Sequence, residues 1–301
     1  MTINRHITII SILLISLSAI AQNGLSGSVP TDNYGLVRTN IDATYNRSAG
    51  NISDHFKART SFELIRKKHI TVTANGHYNL LRCDFDKSDV PIGYDPYSLG
   101  MNGTHHSGQF GLTGSVNTTL LNKHMVTFAM LSADYGNQRF QRVSGVAMGI
   151  IMLRANRNTQ FGIGPIVLIN STSRIPAFLI FIYRHRFNNL LSLNLYGTMF
   201  GLDYTPTRND LFTVGGDIDV KSFYFKPNRP DLPRTCRYGR TSFRPSVKYK
   251  RRFFKNFYGE LQTGISLKMS SRVNGVTGSK RYFEVKTKPR LFIQAGLSYS
   301  I

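Results

Sequence analysis

Beyond residue 20 the sequence has no apolar run approaching the roughly 20 residues that a membrane-spanning helix needs, which excludes a multi-helix membrane protein. It is also too poor in charge for a disordered chain. Charged residues make up 18%, aromatics 12%, and there are 26 glycines, a composition that belongs to a folded, strand-rich protein. Cysteine is nearly absent: Cys83 and Cys236 are the only two. Acid is scarce as well, with 16 Asp and Glu facing 38 Lys and Arg, so the formal charge is +22. Such a balance ordinarily points to nucleic acid, but here the charge is dispersed and the chain carries an export signal, so no nucleic-acid partner is expected.

That signal occupies residues 1–21. Arg5 and His6 precede an apolar stretch from Ile7 to Ile20, and Ala19-Ile20-Ala21 supplies the small residues of a cleavage site before Gln22. No cysteine follows the cut, which excludes lipid attachment there. Residues 22–301 are then expected to form one domain.

Within that domain the apolar periodicity is two, not 3.6. Phe56, Ala58, Thr60, Phe62 and Leu64 alternate with Lys57, Arg59, Ser61 and Glu63; Ile70 to Leu80, Phe110 to Leu120, Phe257 to Met269 and Leu291 to Ile301 repeat the pattern, as does the stretch from Val37 to Tyr45. The apolar face of these strands carries no charge, although the chain is strongly charged. On a lipid-facing barrel position a Lys or Arg costs about 2 to 4 kcal/mol at mid-bilayer. Short polar breaks at Lys67-Lys68, Asn122-Lys123, Arg157-Asn158, Asn188-Asn189 and Lys255-Asn256 alternate with longer stretches such as 82–105 and 203–240. Tight turns at one end and long loops at the other are the habit of outer-membrane barrels. The count predicts an all-β, transmembrane, antiparallel up-and-down barrel of about 12 strands with both termini in the periplasm. In that count 190–202 is one strand, and 211–225 is a hairpin within the longest loop. The segments 146–153 and 178–183 stand out as apolar on both faces.

The signal ending Ala19-Ile20-Ala21-Gln22, the turn Arg252-Phe253-Phe254-Lys255-Asn256-Phe257-Tyr258, the preceding Phe243 to Tyr249 and the apolar last strand resemble an uncharacterised family of Gram-negative outer-membrane β-barrel proteins. The resemblance implies a place in the outer membrane, among its lipid and lipopolysaccharide, reached through the barrel-insertion machinery. It carries over no catalytic residue, cofactor or metal.

Charges of lumen parity suggest what the barrel does. Arg38, Lys57, Arg59, Arg244, Lys248 and Lys250 outnumber the acids on that face, and a basic lumen favours small anionic solutes through its summed potential. Lys57, Arg59, Lys248 and Lys250 are expected to share one depth in the periplasmic half. A passive anion channel is therefore the leading reading. The alternatives are a lipid-modifying hydrolase on a barrel scaffold and a structural or adhesin-like surface protein using the 203–240 loop. For a hydrolase the only hint is His105-x-Ser107, a base and nucleophile spacing, and no enzymatic activity is expected from it. Asp84, Asp86, Ser88 and Asp95 have the spacing of a calcium loop but lack its glycine and final glutamate, so a solvated acidic loop is expected. Cys83 and Cys236, on an export route where disulfides persist, leave a bridge and two free thiols both open.

Overall fold

A computed structural model describes residues 40–48, 51–136, 139–169, 177–197, 199–276 and 280–300. The signal segment, Arg38 and the last residue lie outside them. Among the described residues the elements are all strands, joined by turns and loops, apart from one 3-10 turn at Lys87–Asp89. In order the strands are β1 (Asn40–Ser48), β2 (Ile52–Arg66), β3 (Ile70–Cys83), β4 (Gly103–Leu120), β5 (Lys123–Gly136), β6 (Arg139–Ala155), β7 (Thr159–Ile169) and β8 (Ala177–Arg186). They continue with β9 (Leu191–Tyr196), β10 (Met199–Tyr204), β11 (Asp210–Phe225), β12 (Cys236–Phe254), β13 (Phe257–Gly275), β14 (Arg281–Glu284) and β15 (Arg290–Ser300).

Each strand from β1 to β13 pairs antiparallel with the next in sequence, β13 pairs with β15, and β15 pairs with β1. The ladder therefore returns on itself, and no strand edge of the ring is left over its full length. Strand β14 lies on the same edge of β13 as β15 does, so the two are segments of one interrupted wall strand. Closure is the solution for an antiparallel sheet that must satisfy all its backbone groups away from water.

The outward face is the one the periodicity marks. Phe62, Phe110, Leu112, Leu179, Leu291 and Ile293 are all exposed, and their neighbours of opposite parity point into the ring. Large apolar side chains in contact with the surroundings around a whole sheet make sense only if those surroundings are hydrocarbon.

The ring holds fourteen strands, two more than the periodicity indicated. The difference arises in one place. Residues 190–202 are a hairpin and not a strand: β9 turns at Gly197, whose φ of +52° suits a glycine, and returns as β10 with Met199 opposite Tyr196. Residues 211–225, expected as a loop hairpin, are one full strand paired with β12 along its length. Both changes add a strand, so the even number survives.

The connections at one end are short, including β4 to β5, where Leu121 and Asn122 take positive φ in a two-residue turn. At the other end the longest described connection, 84–102, folds inward over the mouth. Phe85, Val90, Leu99 and Met101 pack with Phe223, Tyr238 and Val273 from the walls into a buried core. The connection 226–235 clasps it from outside. Tyr94 donates from its hydroxyl to Asp231 at 3.0 Å, Arg229 donates to the Gly93 carbonyl at 2.5 Å, and the same guanidinium lies 4.6 Å from the Tyr94 ring centre. The hydrogen bond from Arg229 holds the Asp231 carboxyl below its ordinary range. Phe223 is central to the mouth core, in ring contact with Phe85, Phe225, Tyr238 and His105. Phe223→Ala is expected to cost about 3 to 5 kcal/mol, read as a lower denaturant midpoint for the detergent-solubilised protein.

The mouth is also pinched. The upper end of β11 reaches across to β4 and β5, which are not its neighbours in the ring: His105 stacks on Phe223 at 4.0 Å, and the Tyr224 hydroxyl donates to Asp134 at 3.3 Å. On one side of this contact the inner faces of β6, β7 and β8 carry a buried apolar group that includes Val146, Ile150, Ile166 and Ile180. That accounts for the segments apolar on both faces. The other side is basic.

Candidate anion-binding lumen

Strands β2, β11 and β12 bring five cations to the basic side. They stand at alternate positions, so the pleat aims all of them inward: Lys57 and Arg59 on β2, Lys221 on β11, Arg240 and Arg244 on β12. The register sets Lys221 directly opposite Arg240, Asp219 opposite Ser242 and Asp217 opposite Arg244. Two carboxylates, Asp217 and Asp219, stand within the group, and Glu260 lies within electrostatic reach of Arg244.

Arg244 takes most of that acid. It forms an ion pair with Asp217, its Nε lying 3.1 Å from Oδ1, and a looser one with Asp219 at 3.8 Å. The guanidinium also donates to Gln294 at 3.2 Å and rests 4.8 Å from the Phe292 ring centre. Arg240 meets only hydroxyls, donating to Ser242 at 3.0 Å and to Ser266 at 3.1 Å. Lys221 is 7% exposed. Its side chain and that of Lys57 make no hydrogen bond among the described residues. Lys221 lies within electrostatic reach of Asp219, Arg240 and Arg244, and Lys57 within reach of Arg59, Asp219, Arg244 and Lys221. His55, buried beside both lysines, is 3.2 Å from the side-chain oxygen of Asn79 through Nε2. The mouth core is the roof: Tyr238 precedes Arg240 by two on the same face, and Cys83 sits close to Lys221.

Of the six expected lumen residues, Lys57, Arg59 and Arg244 are thus brought together. Lys248 and Lys250 lie inside but nearer the turn end, so the four-lysine-and-arginine ring at one depth does not form. The Lys248 ammonium is 3.9 Å from Glu260, and Lys250 rests 4.8 Å from the Tyr258 ring centre. Strands in a closed sheet tilt and stagger, so distance along the chain from a turn does not give depth. Arg38 lies outside the described residues. Lys221 and Arg240 escaped notice because both fell in a stretch read as loop, although Asp217, Asp219, Lys221, Phe223 and Phe225 alternate with Ile218 and Val220 and so carried a strand signal.

The other candidates take structural places. The Nε2 of His105 is 2.9 Å from the Met101 carbonyl oxygen and the ring stacks on Phe223, a posture that ties it to the mouth core. Asp86 and Asp89 shape the 3-10 turn, the Asp86 amide donating to the Asp89 carboxyl at 2.9 Å. Among the described residues no group of three potential metal ligands converges. Cys83 and Cys236 end β3 and begin β12, both lining the mouth core, and both thiols are free.

A second charged group surrounds Asp134, with Arg142 and Arg272 both within electrostatic reach of Arg237. Asp134 accepts from Arg142 at 2.8 Å, from Gln109 at 2.8 Å and from Tyr224.

The fold is that of an outer-membrane β-barrel. No known family's sequence model matches the chain, and no curated protein does. Among solved structures it is similar to an outer membrane channel of Pseudomonas putida F1, at 12% identity over 90% of this chain and 99% of that one with a TM-score of 0.42. It is also similar to the outer membrane phospholipase of Salmonella typhi, a dimer with bound calcium, at 10% identity, 89% and 93% coverage and 0.38. A third is the KdgM porin in complex with disordered oligogalacturonate, at 9% identity, 87% and 99% coverage and 0.35. Channels and an enzyme stand side by side in this group, and a shared barrel does not choose between them.

Proposed function

We propose that this chain lies in the outer membrane with its turn end in the periplasm, as in the barrel family its sequence resembles, and admits small anionic solutes to a basic lumen. One observation carries the reading. Lys57, Arg59, Lys221, Arg240 and Arg244 are gathered in the interior around Asp217 and Asp219, with Glu260 within reach of Arg244. Excess positive charge inside low-dielectric walls concentrates anions and repels cations. The hydrolase alternative draws nothing from His105, whose ring is committed to Met101 and Phe223. The surface-protein alternative loses its long loop, because most of 203–240 is strand. The outer mouth is roofed, so passage requires segment 84–102 to move aside.

Fractionation should place the protein in the outer membrane as a species whose gel migration changes on heating. Reconstituted in planar bilayers under a potassium chloride gradient at low total salt, it should give a reversal potential of the sign set by chloride. A potential of the opposite sign would overturn the anion reading.

A further inference from the structure

Resting on that reading, the geometry points to a discrete binding site within the lumen for a compact, multiply charged oxyanion of the phosphate, sulfate or small polycarboxylate class, held by Lys57, Lys221 and Arg240. The three come from different strands and converge around Lys221, which is in reach of each of the other two. Their neighbour Arg244 takes up Asp217 and leans on Asp219, so Asp219, the carboxylate in reach of both lysines, is shared and does not cancel the charge of the three.

Burying ammonium groups without an anionic partner is costly. Here two ammonium groups and a guanidinium satisfied only by serine hydroxyls face one another beneath an apolar roof. A monovalent ion would relieve little of that repulsion. An oxyanion of two or more charges offers several acceptors to three separate donors and cancels most of the excess. His55 stands beside the two lysines, one more polar group within the site. The source is a free solute and not a lipid headgroup, since closed walls and the mouth core separate the three cations from the bilayer.

The test uses the purified protein in detergent, with inorganic phosphate as the probe against chloride at equal ionic strength. Phosphate should raise the unfolding midpoint along a saturating curve, as a ligand of the native state does, and titration calorimetry should return the same affinity. Lys221→Gln and Lys57→Gln should each weaken phosphate binding at least tenfold. Each should also raise the midpoint in chloride, because removing one of several like charges relieves repulsion. Lys255→Gln, in the exposed turn between β12 and β13, should change neither. Phosphate without effect on the midpoint, equal affinity in Lys221→Gln, or a lower midpoint of both lysine variants in chloride would each overturn the site. Binding is read without a membrane, so a barrel that binds phosphate but carries no current defeats the passage reading alone, and one that conducts anions without saturable binding defeats the site alone.

Discussion

Replacing Lys57 and Lys221 together by glutamate should turn an anion-selective barrel into a cation-selective one, seen as a reversal potential that changes sign under the same salt gradient. The expectation follows from the count of charges at one depth. Five cations are gathered there around Asp217 and Asp219, with Glu260 in reach of Arg244, and two Lys-to-Glu reversals take four units of positive charge from that part of the lumen. The effect should shrink as salt rises, because the screening length falls from about 10 Å at 0.1 M to about 3 Å at 1 M. The same two reversals at Lys248 and Lys250 should matter less. Lys248 is already opposed by Glu260 and Lys250 is held over Tyr258, and both sit away from the crowded group. Heat-modifiable migration serves as the control for folding. Equal effects of the two pairs would show that the central group does not set selectivity.

The second large effect concerns the roof. Leu99 and Met101 are fully buried in the mouth core, so Leu99→Asp with Met101→Asp places two carboxylates among tightly packed apolar side chains. An unpaired buried charge is intolerable at that depth, and segment 84–102 should undock while the ring, which does not depend on it for its ladders, persists. Single-channel conductance should rise several-fold. If conductance stays at the wild-type level with the segment shown to be protease-sensitive, the mouth core is not what limits passage. The clasp between Arg229, Tyr94 and Asp231 lies on the outer side of this roof, and its loss alone should have the smaller effect, since exposed polar pairs are worth little.

Much of the wall was legible because hydrocarbon on one side and water on the other impose a strict rule on alternate residues. β2, β3, β4, β13 and β15 obey it without a charge on the outer face, and outward residues such as Phe62, Tyr78, Phe110, Leu261 and Leu291 are exposed in the structure. β6 and β8 were ambiguous for a physical reason: their inner faces, with Val146, Ile150 and Ile180, are apolar too, so alternation vanishes. The hairpin of β9 and β10 was missed because Tyr196-Gly197-Thr198-Met199 lacks the Asn-Gly or Asp-Gly punctuation of most two-residue turns. That one omission forced 211–225 out of the wall to keep the count even, and it took Lys221 out of the site with it. Arg244, Lys57 and Arg59 were recoverable from parity. Which of them meet was not, because the stagger between strands is set by closure of the ring and no local stretch of sequence encodes it.

The seam between β1 and β15 has a consequence for how the protein is made. Asn40 is paired with Ser300 and Ser48 with Phe292, so the ladder that closes the ring joins segments separated by nearly the whole described chain. Every other neighbouring pair from β1 to β13 is local in sequence and costs little loop entropy to form. Closure is therefore the last event, and it waits for residues 290–300 to be synthesised and exported. Until then β1 and β13 each present an open edge of backbone donors and acceptors, the usual template for aggregation. The time spent before the seam closes, more than the strength of any contact in the finished wall, should govern how much of the protein reaches the membrane.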